Sequence, residues 1–211
     1  MDGHSGAGTA EFVAKNFGRV FASAREKSRP RKALLATFSE LHLLTRRRKS
    51  GTTLSVVWIP ERGWCAYVAV LGDSPVIIKN PGERPWLSPE HNVRSNLRER
   101  QAALRRGGEY SSGYLFVGDG EDGLQLSRSL GDVAHGKVLD RNPEVFSVSL
   151  KRKGVVLIAS DGLLDPGHRR SSVQVKRLVQ LIANGSDAKG LVRDALQRQT
   201  HDNVTAVLCM I

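Results

Sequence analysis

Three short stretches of this sequence place carboxylates where an unpaired carboxylate is costly. Residues 155–165 read VVLIASDGLLD. The unbroken apolar run 155–159, rich in β-branched residues, predicts a strand buried on both faces. It stops at Ser160-Asp161-Gly162, so Asp161 stands where a core strand breaks into a turn, with Gly162 supplying the turn's backbone freedom. An ionised carboxylate there needs a partner. Asp161 either caps the turn or the following helix start, or it acts as a ligand. Two further stretches have the same form. Asp2-Gly3-His4-Ser5-Gly6 leads into a helical pattern, and Thr200-His201-Asp202-Asn203 leads into the apolar run 204–211. Carboxylates from three element ends could converge on one point. Gathered closely, they repel one another and cannot all stay ionised without a cation. Hard divalent ions such as Mg²⁺ or Mn²⁺, bound by carboxylates, a carbonyl and waters, remove that conflict.

The elements that must position these groups follow from periodicity. Residues 7–24 predict a helix with Val13, Phe17, Val20 and Phe21 on one face. Ser28-Arg29-Pro30 breaks the pattern, and residues 32–47 predict a second helix with Leu34, Phe38, Leu41 and Thr45 on a stripe. Its basic end, Arg46-Arg47-Arg48, complements the helix dipole. Residues 51–59 and 64–71 predict strands joined by Pro60-Glu61-Arg62-Gly63, a hairpin signal. A strand follows at 76–79, then a loop over 81–89 and a helix over 90–106 ended by Gly107-Gly108. Further strands are expected at 114–117, 145–150, 155–159 and 204–211, with helices at 172–183 and 187–199. Strands in runs with helices paired near each end predict an α+β domain.

A chain of 211 residues, 40% hydrophobic and 25% charged, suits one globular domain spanning 1–211. No repeat or internal boundary interrupts it, and no apolar run approaches the ~20 residues of a membrane span. Asp2, His4 and Glu11 interrupt the first residues, which do not read as a secretory signal. Cys65 and Cys209 sit in apolar strand patterns, so buried free thiols and a reducing compartment, cytoplasmic or nuclear, are expected; a disulfide between them stays open. The net charge is +11. Lys and Arg cluster at 25–32, 46–49, 94–106, 151–153 and 169–170. Such a balance attracts anions over long range. No nucleic-acid recognition motif accompanies it and aromatics are only 6%, which favours a phosphorylated protein partner, or a plain solvated basic surface, over nucleic acid.

The motifs DGHSG at 2–6, GTT at 51–53, GDS at 72–74, SRSLGD at 127–132, SDGLLD at 160–165 and HDNVT at 201–205 occur in the order seen in the PPM-type, or type 2C, metal-dependent serine/threonine phosphatases. The chain resembles that family from Asp2 to Ile211. The resemblance implies an αββα sandwich, two antiparallel sheets flanked by helices, with a variable flap within 80–115. It also implies two Mg²⁺ or Mn²⁺ ions. Asp2 would bridge them, the Gly3 carbonyl would bind one, and Asp161 and Asp202 would bind the other. A water between the ions would attack the phosphorus of phosphoserine or phosphothreonine. His4 would protonate the leaving alkoxide, or else orient a water or Asp2. Asp73 and Asp165 resemble residues that form a weaker third metal site with Asp161; an Asp in a tight turn and a helix cap are the alternatives for them. Asn203 would orient Asp202 through its amide.

Arg128 and Asp132 of SRSLGD are expected to be structural, as a buried Arg–Asp arrangement or a turn cap. His42, His91, His135 and His168 show no metal-ligand spacing and are expected at the surface or packed. Two departures from the family bear on activity. The family carries two strands before DGH, with an arginine that grips phosphate and an acidic residue near the metals. Here Met1 alone precedes Asp2, so a fraying end and weakened metal binding are expected. Pro75 also stands where Arg follows GDS in the family. The alternative expectation is therefore a phosphatase-like domain that binds phosphoprotein with little or no turnover.

Overall fold

The structure is a computed structural model, and it describes residues 1–61, 63–120, 122–164 and 171–211. The chain divides into two compact units. One comprises Met1–Val56, Ala69–Asp73 and Glu90–Phe146; the other comprises Val57–Val68, Ser74–Pro89 and Ser147–Ile211.

In the first unit, helices α1 (Gly8–Lys27) and α2 (Pro30–Thr45) lie side by side. Pro30 opens α2 at a position where no backbone N–H is required. The predicted stripe is the buried one, with Leu34, Phe38, Leu41 and Thr45 all fully enclosed. The Thr45 hydroxyl satisfies itself by donating to the Leu41 carbonyl at 2.7 Å. The N-terminus of α1 has no side-chain cap of its own. Ser50 supplies one from outside: its Oγ accepts the Thr9 N–H at 3.1 Å, while its carbonyl accepts the Thr9 hydroxyl at 2.6 Å. A small antiparallel sheet then joins three distant motifs. Gly3–His4 pairs with Gly51–Thr52, which pairs with Leu130–Gly131. His4 stands opposite Gly51, and Gly51 opposite Gly131.

The helix expected over 90–106 is shorter, α3 at Leu97–Arg105. Asn96 caps it, accepting the N–H groups of Arg98 and Glu99 at 3.1 and 3.3 Å. Residues before Asn96 cannot be helical because their backbone groups are already committed elsewhere. His91 N–H donates to the Gly72 carbonyl, Val93 N–H to Gln125, and the His91 carbonyl accepts from Ser127 N–H. A hairpin of Glu109–Ser111 and Tyr114–Phe116 follows α3.

The second unit holds a four-stranded antiparallel sheet in the order Ala206–Met210, Val155–Ala159, Val76–Lys79, Trp86–Leu87. Helices α4 (Ser171–Ala183) and α5 (Ala188–Gln197) cover it. Ile77, Leu157, Ala159 and Leu163 pack against Val175, Leu178, Leu191 and Ala195 in one apolar cluster. Asp187 caps α5 by accepting the Gly190 N–H at 2.7 Å. The two cysteines are free, as expected, but they are not both buried: Cys65 is half-buried and Cys209 is exposed. Ala206–Met210 lies at the sheet edge, where alternate side chains face out. Helices and antiparallel sheets in these proportions make the chain α+β. No helix among the described residues is long and apolar enough to cross a membrane.

Candidate active site

The GTT motif holds the DGH motif. Asp2 N–H donates to Thr53 Oγ1 at 2.9 Å, and the Asp2 carbonyl accepts the Thr53 N–H at 2.9 Å and the Thr52 hydroxyl at 3.0 Å. Three hydrogen bonds to Thr52 and Thr53 thus hold the Asp2 main chain. His4, on the same short strand, points its Nε2 at both carboxylate oxygens of Asp132, at 2.9 and 2.8 Å. The Asp132 side chain is only 3% exposed. It also accepts a close hydrogen bond from the Ser129 hydroxyl. Asp132 occupies the left-handed region at φ 50, which a short polar side chain tolerates. Arg141 fixes this turn by donating to the carbonyls of Ser129, at 2.6 Å, and Asp132, at 3.3 Å.

Gly51 forms the floor beneath the pair. A Cβ there would lie 2.0 Å from Asp132 Oδ2 and 2.2 Å from His4 Nε2, so no side chain fits. Asp132, expected to be structural, is buried in a turn, and its carboxylate also meets the candidate catalytic residue His4. No linear spacing could have signalled a bond between residues 128 positions apart.

Asp73 lies in the same unit. Burial pushes its carboxyl up to about 6; the Asn92 amide, donating at 2.8 Å, opposes that shift, and the charges of Glu90 and Asp2 add to it. Glu90, which the motifs did not single out, is itself pushed up by burial. Asp2, Asp73 and Glu90 thus share one field of negative charge.

In the second unit, Asp161 and Asp202 bring carboxylate oxygens within 4.8 Å of one another. Their approach is built by the strand pair Val155–Ala159 and Ala206–Met210 and by the turns that leave it. Ser160 Oγ accepts the Thr205 N–H at 2.9 Å and donates to the Asn203 carbonyl at 3.0 Å. Thr200 donates its hydroxyl to the Gly162 carbonyl at 3.0 Å. Gly162 is needed for closeness as well as freedom. A Cβ there would stand 2.5 Å from the Asn203 carbonyl oxygen and 3.2 Å from the Asp202 Cβ. Asn203 does hold Asp202, but through its main-chain N–H, 2.7 Å from Oδ1, rather than through its side-chain amide. Asp165, His168 and the Arg169-Arg170 pair lie outside the described residues.

A second group of possible ligands, His91, Glu99 and Glu144, also lies within 4.8 Å. Two observations argue against a metal there. The Gly72 N–H donates to His91 Nδ1 at 3.1 Å, so the ring's hydrogen sits on Nε2 and that nitrogen has no lone pair to offer. The cation is already present: Arg128 donates to both oxygens of Glu99 at 3.0 and 2.6 Å and reaches Glu144 at 3.3 Å. Arg128 is therefore structural, and its carboxylate partners are Glu99, Glu144 and, at 4.0 Å, Asp140 rather than Asp132.

Burial, aided by the Arg128 charge, lowers the His91 pKa from 6.5 to about 4. Between those values the unfolded chain takes up a proton that the folded one refuses. Stability from neutral His91 is therefore complete above about pH 6.5 and is lost as pH falls towards 4, by on the order of 3 kcal/mol. Urea midpoints of wild type and His91→Gln should converge as pH drops through this window. The raised Asp73 acts in the opposite sense below about pH 6, and it cancels in that comparison.

Residues 1–204 match the family model described as Protein phosphatase 2C. A rice (Oryza sativa subsp. japonica) relative, Probable protein phosphatase 2C 3, is 30% identical over 99% of this chain and 46% of its own length. An Arabidopsis thaliana relative, Probable protein phosphatase 2C 5, is 31% identical over 99% of this chain and 52% of its own. The chain thus spans about half the length of the curated relatives it matches. Among solved structures, a C. elegans sex determining protein superposes with a TM-score of 0.82 at 25% identity, covering 99% of this chain and 54% of that one. A serine-threonine phosphatase 2C from Toxoplasma gondii superposes at 0.75 and 20% identity, covering 99% and 82%, and shares the α+β sandwich fold. The match over residues 1–204, carrying the DGH, GTT, SRSLGD and SDG motifs whose packing is described above, establishes that the chain belongs to the protein phosphatase 2C family.

Proposed function

We propose that this chain carries a divalent-metal centre that hydrolyses phosphoserine and phosphothreonine in proteins, with Asp2, the Gly3 carbonyl, Asp161 and Asp202 as its donors. The observation that carries the reading is the approach of Asp161 and Asp202 to within 4.8 Å, on a scaffold whose turn glycine admits no side chain. Two carboxylates so close favour a cation between them. An all-oxygen donor set suits Mg²⁺ or Mn²⁺ rather than a soft metal. Bound there, two ions would acidify the attacking water and neutralise the phosphoryl oxygens.

The chain's own groups do the rest. Thr52 and Thr53 hold the backbone of Asp2, the segment from which its carboxylate would serve as a donor to the metal centre. As the P–O bond to the substrate serine or threonine breaks, His4 transfers a proton to the departing oxygen, and the new P–O bond forms from water. Asp73, with Asp161 and Asp165, would hold a weaker third ion. A cation there would relieve the penalty that burial and neighbouring charge impose on the Asp73 carboxylate. The balance of 32 Lys and Arg against 21 Asp and Glu favours anionic, phosphorylated substrates through long-range attraction.

The test is a titration of metal-free protein with Mn²⁺ or Mg²⁺, following melting temperature and hydrolysis of a phosphoserine peptide on the same sample. A ligand of the folded state alone stabilises it by about 2.7 kcal/mol at a hundred times its Kd. Melting temperature and rate should rise together with one midpoint, and a chelator should reverse both. Stabilisation without turnover would instead favour a phosphatase-like domain that binds phosphoprotein. If neither responds, the proposal fails.

A further inference from the structure

The structure assigns to Asp132 the role of positioning His4, so that Nε2 is committed to the Asp132 carboxylate and Nδ1 is the nitrogen that delivers the proton to the leaving oxygen. The inference rests on the phosphatase reading above and adds to it a named atom and a residue with no direct contact to substrate.

A carboxylate can only accept, and both Asp132 oxygens lie within 2.9 Å of Nε2, so Nε2 must carry the hydrogen. Two features show that this arrangement is held rather than incidental. Asp132 is itself anchored on every side: the Ser129 hydroxyl donates to its side chain, the Ser50 carbonyl accepts its N–H at 3.2 Å, and Arg141 donates to its carbonyl. Gly51 provides the second feature. The cross-strand neighbour of His4 has no room for a Cβ because the carboxylate and the ring occupy that space. With one nitrogen fixed in this way, the partly exposed ring, whose side chain is 23% accessible, has only Nδ1 left for chemistry. Rotation of the ring would cost the bond to a buried carboxylate, which would then be left underpaired. The logic is that of a third group orienting an acid–base histidine.

Two readouts decide the matter. Long-range ¹⁵N–¹H correlation on the metal-free wild type should show Nε2 of His4 protonated. A ring with Nε2 bare in a substantial share of molecules overturns the assignment. With Mn²⁺ present, Asp132→Asn should lose about 10²-fold in kcat on a phosphoserine peptide, whose alkoxide needs a proton to leave. On p-nitrophenyl phosphate, whose phenolate leaves without one, the loss should stay under about threefold, because general-acid help matters little there. His4→Asn should show the same selective loss, and the double variant should lose no more than either. Equal losses on both substrates would make Asp132 merely structural and sink the inference. If Asp132→Asn does not fold, Ser129→Ala, which leaves the carboxylate in place but loosens it, should show a smaller loss of the same selectivity. A wild type inactive on both substrates sinks the phosphatase reading instead, and the protonation of Nε2 is read independently of it.

Discussion

Asp161→Asn should lower metal-dependent hydrolysis of p-nitrophenyl phosphate by about 10³-fold or more. Asparagine keeps the size of the side chain and leaves the backbone intact, so the Asp161 carbonyl still accepts the Leu164 N–H at 2.7 Å. Asp161 and Asp202 lie within 4.8 Å, a separation that favours a cation between their carboxylates. With divalent ion the same change removes an anionic donor from the centre, and stabilisation of developing charge commonly accounts for several kcal/mol of barrier. The variant's melting temperature should also cease to respond to Mn²⁺, which separates a lost metal site from a lost fold. A variant that stays active, or whose melting temperature still rises with Mn²⁺ as wild type does, would count against a ligand role for Asp161.

The largest effect on stability is expected at Arg128. Arg128→Ala should cost about 3–5 kcal/mol in urea denaturation, because it leaves buried charge without its counter-ion. Arg128 is 14% exposed and Glu99 is 9% exposed at the side chain. Glu99 receives two bonds from the guanidinium and one of 2.5 Å from the Ser127 hydroxyl. Burial works to raise the Glu99 pKa, and the bonds from Arg128 and Ser127 outweigh it, so the net shift is downward. Without Arg128 the burial remains and most of the compensation goes. Arg128→Lys should recover only part of the loss, because an ammonium cannot meet both Glu99 oxygens and Glu144 in one plane. Lys151→Ala is the contrasting case. Its pair with Glu83 is exposed, 56% and 46% accessible, and its loss should leave the urea midpoint where it was.

The elements that could be read from the sequence are those whose signal is local. The strands Val155–Ala159 and Val76–Lys79 occur where their apolar runs placed them, and the stripe from Leu34 to Thr45 is the enclosed face of α2. The motifs holding Asp2, Asp161 and Asp202 were visible for a similar reason: each combines a carboxylate with a turn at an element end. What could not be read depends on partners distant in sequence. The helix expected over 90–106 begins only after Asn96, because the backbone before it bonds to Gly72, Gln125 and Ser127. Cys209 sits in an apolar run that reads as buried, yet whether a strand is central or at the edge is set by its neighbours. Asp132 shows this most clearly. Its motif looked like a turn, and only pairing of Gly51 with both Gly131 and His4 brings it to the imidazole.

The central proposition is that Asp2, Asp161 and Asp202 serve one pair of divalent ions. Anomalous diffraction from Mn²⁺-soaked crystals tests it most directly. Two manganese peaks about 3.5–4 Å apart are predicted. Asp2 should touch both, the Gly3 carbonyl one, and Asp161 and Asp202 the other. A single peak, or a pair of peaks that Asp2 does not reach, would contradict it.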